Sequence, residues 1–250
     1  MKKTLLFIFL SLSFQAFSQK GTFKVNLVTG LNLALPVGPD AKQDRADFKK
    51  SEKEYSAKDG GSYSGHINPR LGIHLGGTVD YFITDKIAVT SGLIFSQRGY
   101  TRKVRYEYNK TEQIEYKKSY KKTTRVKLNY IDLPVMGKYF LTNSFYVNAG
   151  LQFCFLASDK YIEKTEYNEI GYVDFEPVVV NKTEENISSA YAKGLLAGFK
   201  LGAGMAKEKV GLEFNISKTG VPLRVIGVPF GYPNLLLQCG LTYKIYTKNK

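Results

Sequence analysis

The chain has 250 residues, room for one domain of ordinary size and too little for two domains with a linker. Aromatic residues make up 14% of it and charged residues 23%, with 23 Gly and only 8 Pro, which excludes a disordered or low-complexity chain. The 36 Lys and Arg outnumber the 22 Asp and Glu to give +14, so charge alone raises nucleic acid or an anionic membrane surface as partner classes.

The chain opens on an export signal. Lys2 and Lys3 precede an apolar run over residues 5–17, and Ala16-Phe17-Ser18 puts small side chains at the two positions a signal peptidase reads. A spanning helix needs roughly 20 apolar residues, and this shorter run is followed at once by Gln19 and Lys20. Residues 1–18 are therefore predicted to be a cleaved signal peptide and 19–250 the mature domain, whose charge is +12 once Lys2 and Lys3 are gone. No Cys follows the apolar run, which argues against a lipoprotein anchor. Cys154 and Cys239 fall on opposite faces of strands that are not neighbours, so they are predicted to be unpaired.

Beyond Gln19, apolar residues recur with period two and not 3.6, the mark of half-buried strands. A first strand over 23–35 sets Phe23, Val25, Leu27, Leu31 and Leu33 against Lys24, Asn26 and Asn32. A second sets Leu71, Ile73, Leu75, Val79 and Tyr81 against Gly72, His74, Thr78 and Asp80, and a third sets Ile87, Val89, Leu93 and Phe95 against Thr90, Ser96 and Arg98. In the fourth, Ile131, Leu133, Val135 and Tyr139 oppose Asp132, Pro134 and Lys138, and Pro134, which cannot donate to a ladder, predicts a bulge or kink. The fifth places Phe145, Val147, Leu151, Phe153 and Phe155 opposite Tyr146, Asn148, Gln152 and Cys154. Leu195, Phe199, Leu201 and Met205 oppose Gly198, Lys200, Gly202 and Gly204 in the sixth, and Val210, Leu212, Phe214 and Ile216 oppose Glu213 and Asn215 in the seventh. The eighth runs over 235–245 with Leu235, Leu237, Leu241, Tyr243 and Ile245 opposite Gln238, Gly240 and Lys244.

Short connections at Thr84-Asp85, Thr142-Asn143 and 207–209 alternate with long ones at 36–69, 99–127, 157–193 and 218–233. An even number of strands joined this way predicts an all-β, eight-stranded antiparallel up-and-down transmembrane β-barrel with short periplasmic turns, long extracellular loops and both termini on the periplasmic side. The apolar face must then meet lipid, because a soluble barrel keeps its apolar residues inside. The other face carries Lys24, His74, Asp80, Arg98, Asp132, Lys138, Lys200 and Glu213, a lumen network read as a structural plug of salt bridges in preference to a proton or ion path, since eight strands enclose only enough room for side chains. Phe23, Tyr81, Phe82, Tyr139, Phe140, Phe145, Tyr243 and Tyr246 sit near strand ends and suit interfacial girdles.

The stretch KLNYIDLPVMGKYFLTNSFYVNAGLQFCFL over 127–156, Gly30-Leu31-Asn32, the Gly-rich 198–204 and the closing LLLQCGLTYKIY resemble the signature of the PorT-like outer-membrane β-barrel family. The resemblance implies an outer-membrane location in a Gram-negative cell and a barrel, not a reaction, and one branch of such barrels serves type IX protein secretion.

The 99–127 connection carries ten Lys and Arg against three Glu, interleaved with five Tyr, while 157–193 carries four Lys against eight Asp and Glu, so the two are expected to pair and 99–127 to extend strands three and four. An exported barrel meets lipopolysaccharide phosphates and not nucleic acid, so the expected partners are outer-membrane lipid and lipopolysaccharide, with envelope or secretion-system proteins second. Catalysis is not expected: the chain has only His66 and His74, and Ser64 with His66 in a Gly-rich segment is too local a pair to form a site. No two His or Cys share metal-ligand spacing and no phosphate-binding Gly loop follows a strand, so no metal or cofactor is expected. The expected role is structural or binding at the cell surface. A secretion or transport assembly and a soluble secreted ligand-binding barrel are the alternatives.

Overall fold

The computed structural model describes residues 21–56, 61–112, 114–173, 176–189, 195–222 and 234–248. The proposed signal peptide and most of the 218–233 connection lie outside them. Among the described residues nine strands and one helix follow in the order β1 (Thr22–Pro36), α1 (Pro39–Ser56), β2 (Ser62–Phe82), β3 (Ile87–Glu112), β4 (Ile114–Phe140), β5 (Phe145–Val173), β6 (Glu176–Ser188), β7 (Leu195–Lys207), β8 (Val210–Pro222) and β9 (Asn234–Lys248). Eight of the strands close a ring, β1-β2-β3-β4-β5-β7-β8-β9, in which β9 pairs back onto β1 and every pairing is antiparallel. These eight are the strands predicted from the alternation.

The faces are as read. Phe199 and Leu201 are 68% and 61% exposed on the outside of β7, whereas Lys200 between them is buried. Along β5 the outward apolar set runs from Phe145 to Phe155, about 33 Å of strand, or about 25 Å of height at a barrel tilt near 40°. That height matches the hydrocarbon thickness of an outer membrane. Cys154 is buried in the lumen, Cys239 is exposed, and both are free.

Three features depart from the sequence reading. Residues 36–69 are not simply a loop: Gly38, at φ 106, and Pro39 start α1, in which, among the described side chains, Ala41 and Phe48 alone are buried, at a spacing of seven. So narrow a buried stripe leaves no readable 3.6 period. Residues 157–193 are not simply a loop either: β5 continues to Val173 and turns back as β6, a ninth strand that pairs with β5 outside the ring. Every described side chain of β6 is exposed, so no in-out contrast marks it. Pro134 causes no bulge. The β3–β4 ladder skips the Gly92–Pro134 and Leu93–Leu133 pairs and resumes in the same register, and the real irregularity of β4 with β5 lies at Asn129/Tyr130.

The long connections are largely strand. Beyond Arg98, β3 and β4 run on together to Glu112 and Ile114, about 45 Å along the strands, with β2 and β5 beside them, which bears out the expected extension. α1 packs on the face of this blade that continues the lumen: Arg102 lies 5.0 Å from the Phe48 ring and 3.7 Å from Asp44 Oδ1, and Tyr55 stacks on Tyr63 and meets Tyr106 edge-on.

Candidate functional site

The lumen contains two polar clusters joined by a small cavity. Toward the short-turn rim, Lys138 Nζ lies 3.0 Å from Asp80 Oδ1, which also accepts from Thr90 Oγ1 at 2.6 Å, while Asn26 Nδ2 donates to Asp80 Oδ2 at 2.9 Å. Lys24 is half-buried and sits 4.2 Å above the Phe82 ring. Glu213 accepts from Tyr146 Oη at 2.8 Å, Asn148 Nδ2 at 3.1 Å and Asn215 Nδ2 at 2.7 Å.

Toward the extended rim, the guanidinium of Arg98, wholly buried, pairs with Asp132 and donates to Thr219 Oγ1 and Ser96 Oγ, both at 3.3 Å, with Tyr130 stacked against it at 4.9 Å. Beside it, Asn32 ties β1 to three other strands, β2, β3 and β9. Its Oδ1 accepts from His74 Nδ1–H at 2.7 Å and Gln238 Nε2 at 2.9 Å, and its Nδ2 donates to Ser96 Oγ at 2.9 Å. Lys200 is buried between the clusters and makes no ion pair among the described residues. With His74, Lys138 and Glu213 it lines a cavity of about 20 Å³, enough for one water.

All eight residues singled out from the sequence therefore face the lumen, but they do not form one chain. Arg98–Asp132 and Lys138–Asp80 are ion pairs, Glu213 is held by neutral donors, and His74 belongs to an amide cluster. Asn26, Asn32, Tyr146, Asn148 and Gln238 carry as much of the bonding and were not singled out. Their placement on the polar face was the available signal. Phe82 and Phe140 are corrected as well: they share the lumen face with Asp80 and Lys138 and pack at 5.4 Å, closing the short-turn rim from within, while Tyr139, Phe145, Tyr243 and Tyr246 remain outside as girdle residues.

Glycines make this filling fit. A Cβ on Gly204 would lie 2.4 Å from the ring of Tyr146, which cannot retreat without losing Glu213, and a Cβ on Gly30 would meet the Cys239 carbonyl oxygen at 2.1 Å and the His74 ring at 2.7 Å. Gly204→Ala is expected to cost about 1–3 kcal/mol through overpacking, read as a lower urea midpoint of the folded protein in lipid.

Outside the ring, the expected pairing between the two charged connections occurs across β4 and β5: Lys121–Glu166 at 2.9 Å, Lys122–Glu163 at 2.8 Å and Lys118–Glu169 at 3.5 Å. The hydrogen bond that Lys122 donates to Glu163 holds the Glu163 carboxyl below its usual pKa and raises the pKa of the Lys122 ammonium. A depressed carboxylate stabilises the fold above its unfolded pKa and loses that contribution as pH falls through the folded value. Protease nicking of the blade is therefore expected to stay flat from pH 7 to about 5 and to rise below about pH 4. A Glu163→Gln variant should show no such rise from this pair.

Solved structures of outer-membrane barrels resemble the chain at low identity. The attachment invasion locus protein Ail of Yersinia pestis matches over 91% of this chain and 100% of its own, at 6% identity and a TM-score of 0.37. Neisserial surface protein A matches over 90% and 100% at 12% identity and 0.30, and OprG of Pseudomonas aeruginosa over 91% and 97% at 13% identity and 0.25. Scores this low carry no argument, and the eight-strand ring rests on the register above. No curated protein matches. The family model for an outer membrane protein beta-barrel domain matches residues 17–218, most of the chain, and with the apolar-out, polar-in ring it gives the assignment: the chain belongs to the outer membrane β-barrel domain family and resides in the outer membrane.

Proposed function

We propose that the protein is a non-enzymatic outer-membrane barrel whose role is structural and binding, exerted through the blade at the cell surface and not through the lumen. The filled interior carries this reading: with Arg98–Asp132, Lys138–Asp80 and the shell around Glu213 in place, the cavity between them is about 20 Å³, room for one water and not for a solute. What lies outside the ring is large by contrast, a sheet of β2 to β6 extensions with α1 packed on its inner face. Outer-membrane lipid and lipopolysaccharide are its nearest partners in that position. Reconstitution into planar bilayers is expected to give no stepwise conductance. Discrete openings in the unmodified protein would return function to the lumen.

One observation favours a second reading, a component of a PorT-like secretion or transport assembly. Among the described residues β6 pairs with β5 alone, and its edge exposes Val178, Val179 and Val180 in succession, the middle one at 57%. An open edge bearing apolar side chains is a template for another chain. Native extraction at the size of one barrel in detergent supports the first reading, and co-extraction in a large stoichiometric complex supports the second.

A further inference from the structure

The outward face of the blade has a charge pattern that its own residues do not balance. On β3, β4 and β5 the last apolar row of the ring is Phe95, Ile131 and Phe155; above it come Gln97, Asn129 and Ser158, joined by a 2.8 Å bond from Asn129 Nδ2 to Ser158 Oγ; above that, Lys127 stands directly opposite Lys160, with Arg125 one row higher. Like charges directly opposite each other on neighbouring strands destabilise a sheet. Farther out, carboxylates neutralise the cations: Glu166 pairs with both Lys121 and Lys164, and Glu107 with Arg105. Nearest the membrane they do not. Lys127, Lys160 and Arg125 are exposed, and none has an acidic partner within 4 Å among the described residues.

Height identifies the missing anion. Lys127 is four residues beyond Ile131, about 13 Å along the strand and about 10 Å along the membrane normal at the usual tilt. Hydrocarbon ends near the Ile131 row and the headgroup layer is roughly 5–8 Å deep, so the Lys127 and Lys160 backbones stand just above that layer and their long flexible stems bring the ammonium groups back down into it. Resting on the surface-binding reading above, we propose that Lys127, Lys160 and Arg125 form a site for the phosphate groups of an outer-leaflet glycolipid. One phosphate between the two lysines converts a repulsive cross-strand pair into a bridged one, and Arg125 can take a second phosphate bidentately.

The test uses the full mature chain folded into phosphatidylcholine vesicles containing either bis-phosphorylated lipid A or lipid A stripped of both phosphates. The readout is the temperature at which the compact gel form converts to the unfolded one. Phosphorylated lipid A is expected to raise that temperature by about 5 °C relative to the stripped lipid, and inorganic phosphate in the buffer should not reproduce the rise. The Lys127→Gln, Lys160→Gln double variant should lose most of the rise. A Lys121→Gln, Lys164→Gln control, equal in charge change but farther from the lipid, should keep it. The proposal is overturned if the Lys127/Lys160 variant responds like the unmodified protein, if the control loses the response equally, or if stripped lipid or free phosphate serves as well. Absence of a compact form in the unmodified protein with either lipid would contradict the barrel itself, a separate failure.

Discussion

Leu201→Lys is expected to cost about 2–4 kcal/mol and to reduce assembly into the membrane. Leu201 pairs with Ala149 midway between Phe145 and Phe155, so the new ammonium would stand near the bilayer midplane, too far from either interface for its stem to reach water. The neighbouring residue sharpens the comparison, because Lys200 already places a lysine side chain at the same height, turned inward. Exchanging the pair, Leu201→Lys with Lys200→Leu, keeps composition and charge and reverses only the faces. The exchange is expected to assemble no better than the single variant. Assembly equal to that of the unmodified protein, measured as the membrane-inserted, heat-modifiable fraction, would mean that the outer face does not meet lipid.

The second large effect is inside. Asp132→Ala leaves the wholly buried Arg98 guanidinium with hydroxyl and thiol partners but no counter-charge, and is expected to cost about 3–5 kcal/mol. The same principle predicts a smaller loss when both charges go. Arg98→Met with Asp132→Leu removes two desolvation penalties together with their attraction and should be markedly less destabilising than Asp132→Ala alone, so a double-mutant cycle on urea unfolding in lipid should show strong coupling. Additive effects would show that the pair acts independently and is not the tie that fills the upper lumen.

The ring was legible because each of its strands separates lipid from a polar interior, so composition alternates cleanly from Leu31 and Asn32 through Leu201 and Lys200 to Leu237 and Gln238. Where that contrast ends, legibility ends. The β5 extension and β6 stand in solvent, and their Thr, Tyr, Lys and Glu residues satisfy the ladder without marking a face. α1 meets the blade through Asp44, Phe48 and Tyr55, too thin a stripe among lysines and glutamates to announce a helix. The lumen charges could be assigned to a face by parity, yet their partners depend on ring closure. Asp80 on β2 reaches across β3 to Lys138 on β4, and Gln238 on β9 meets Asn32 on β1, contacts that no local spacing encodes.

The central claim is that this sequence closes into an eight-stranded ring with its apolar face in the outer membrane. Cell fractionation followed by gel mobility of the detergent-extracted protein, with and without boiling, tests it most directly. The account predicts partition with the outer membrane and a compact, faster band that shifts on heating. A protein found in the soluble periplasm or medium, with the same mobility before and after boiling, would contradict it.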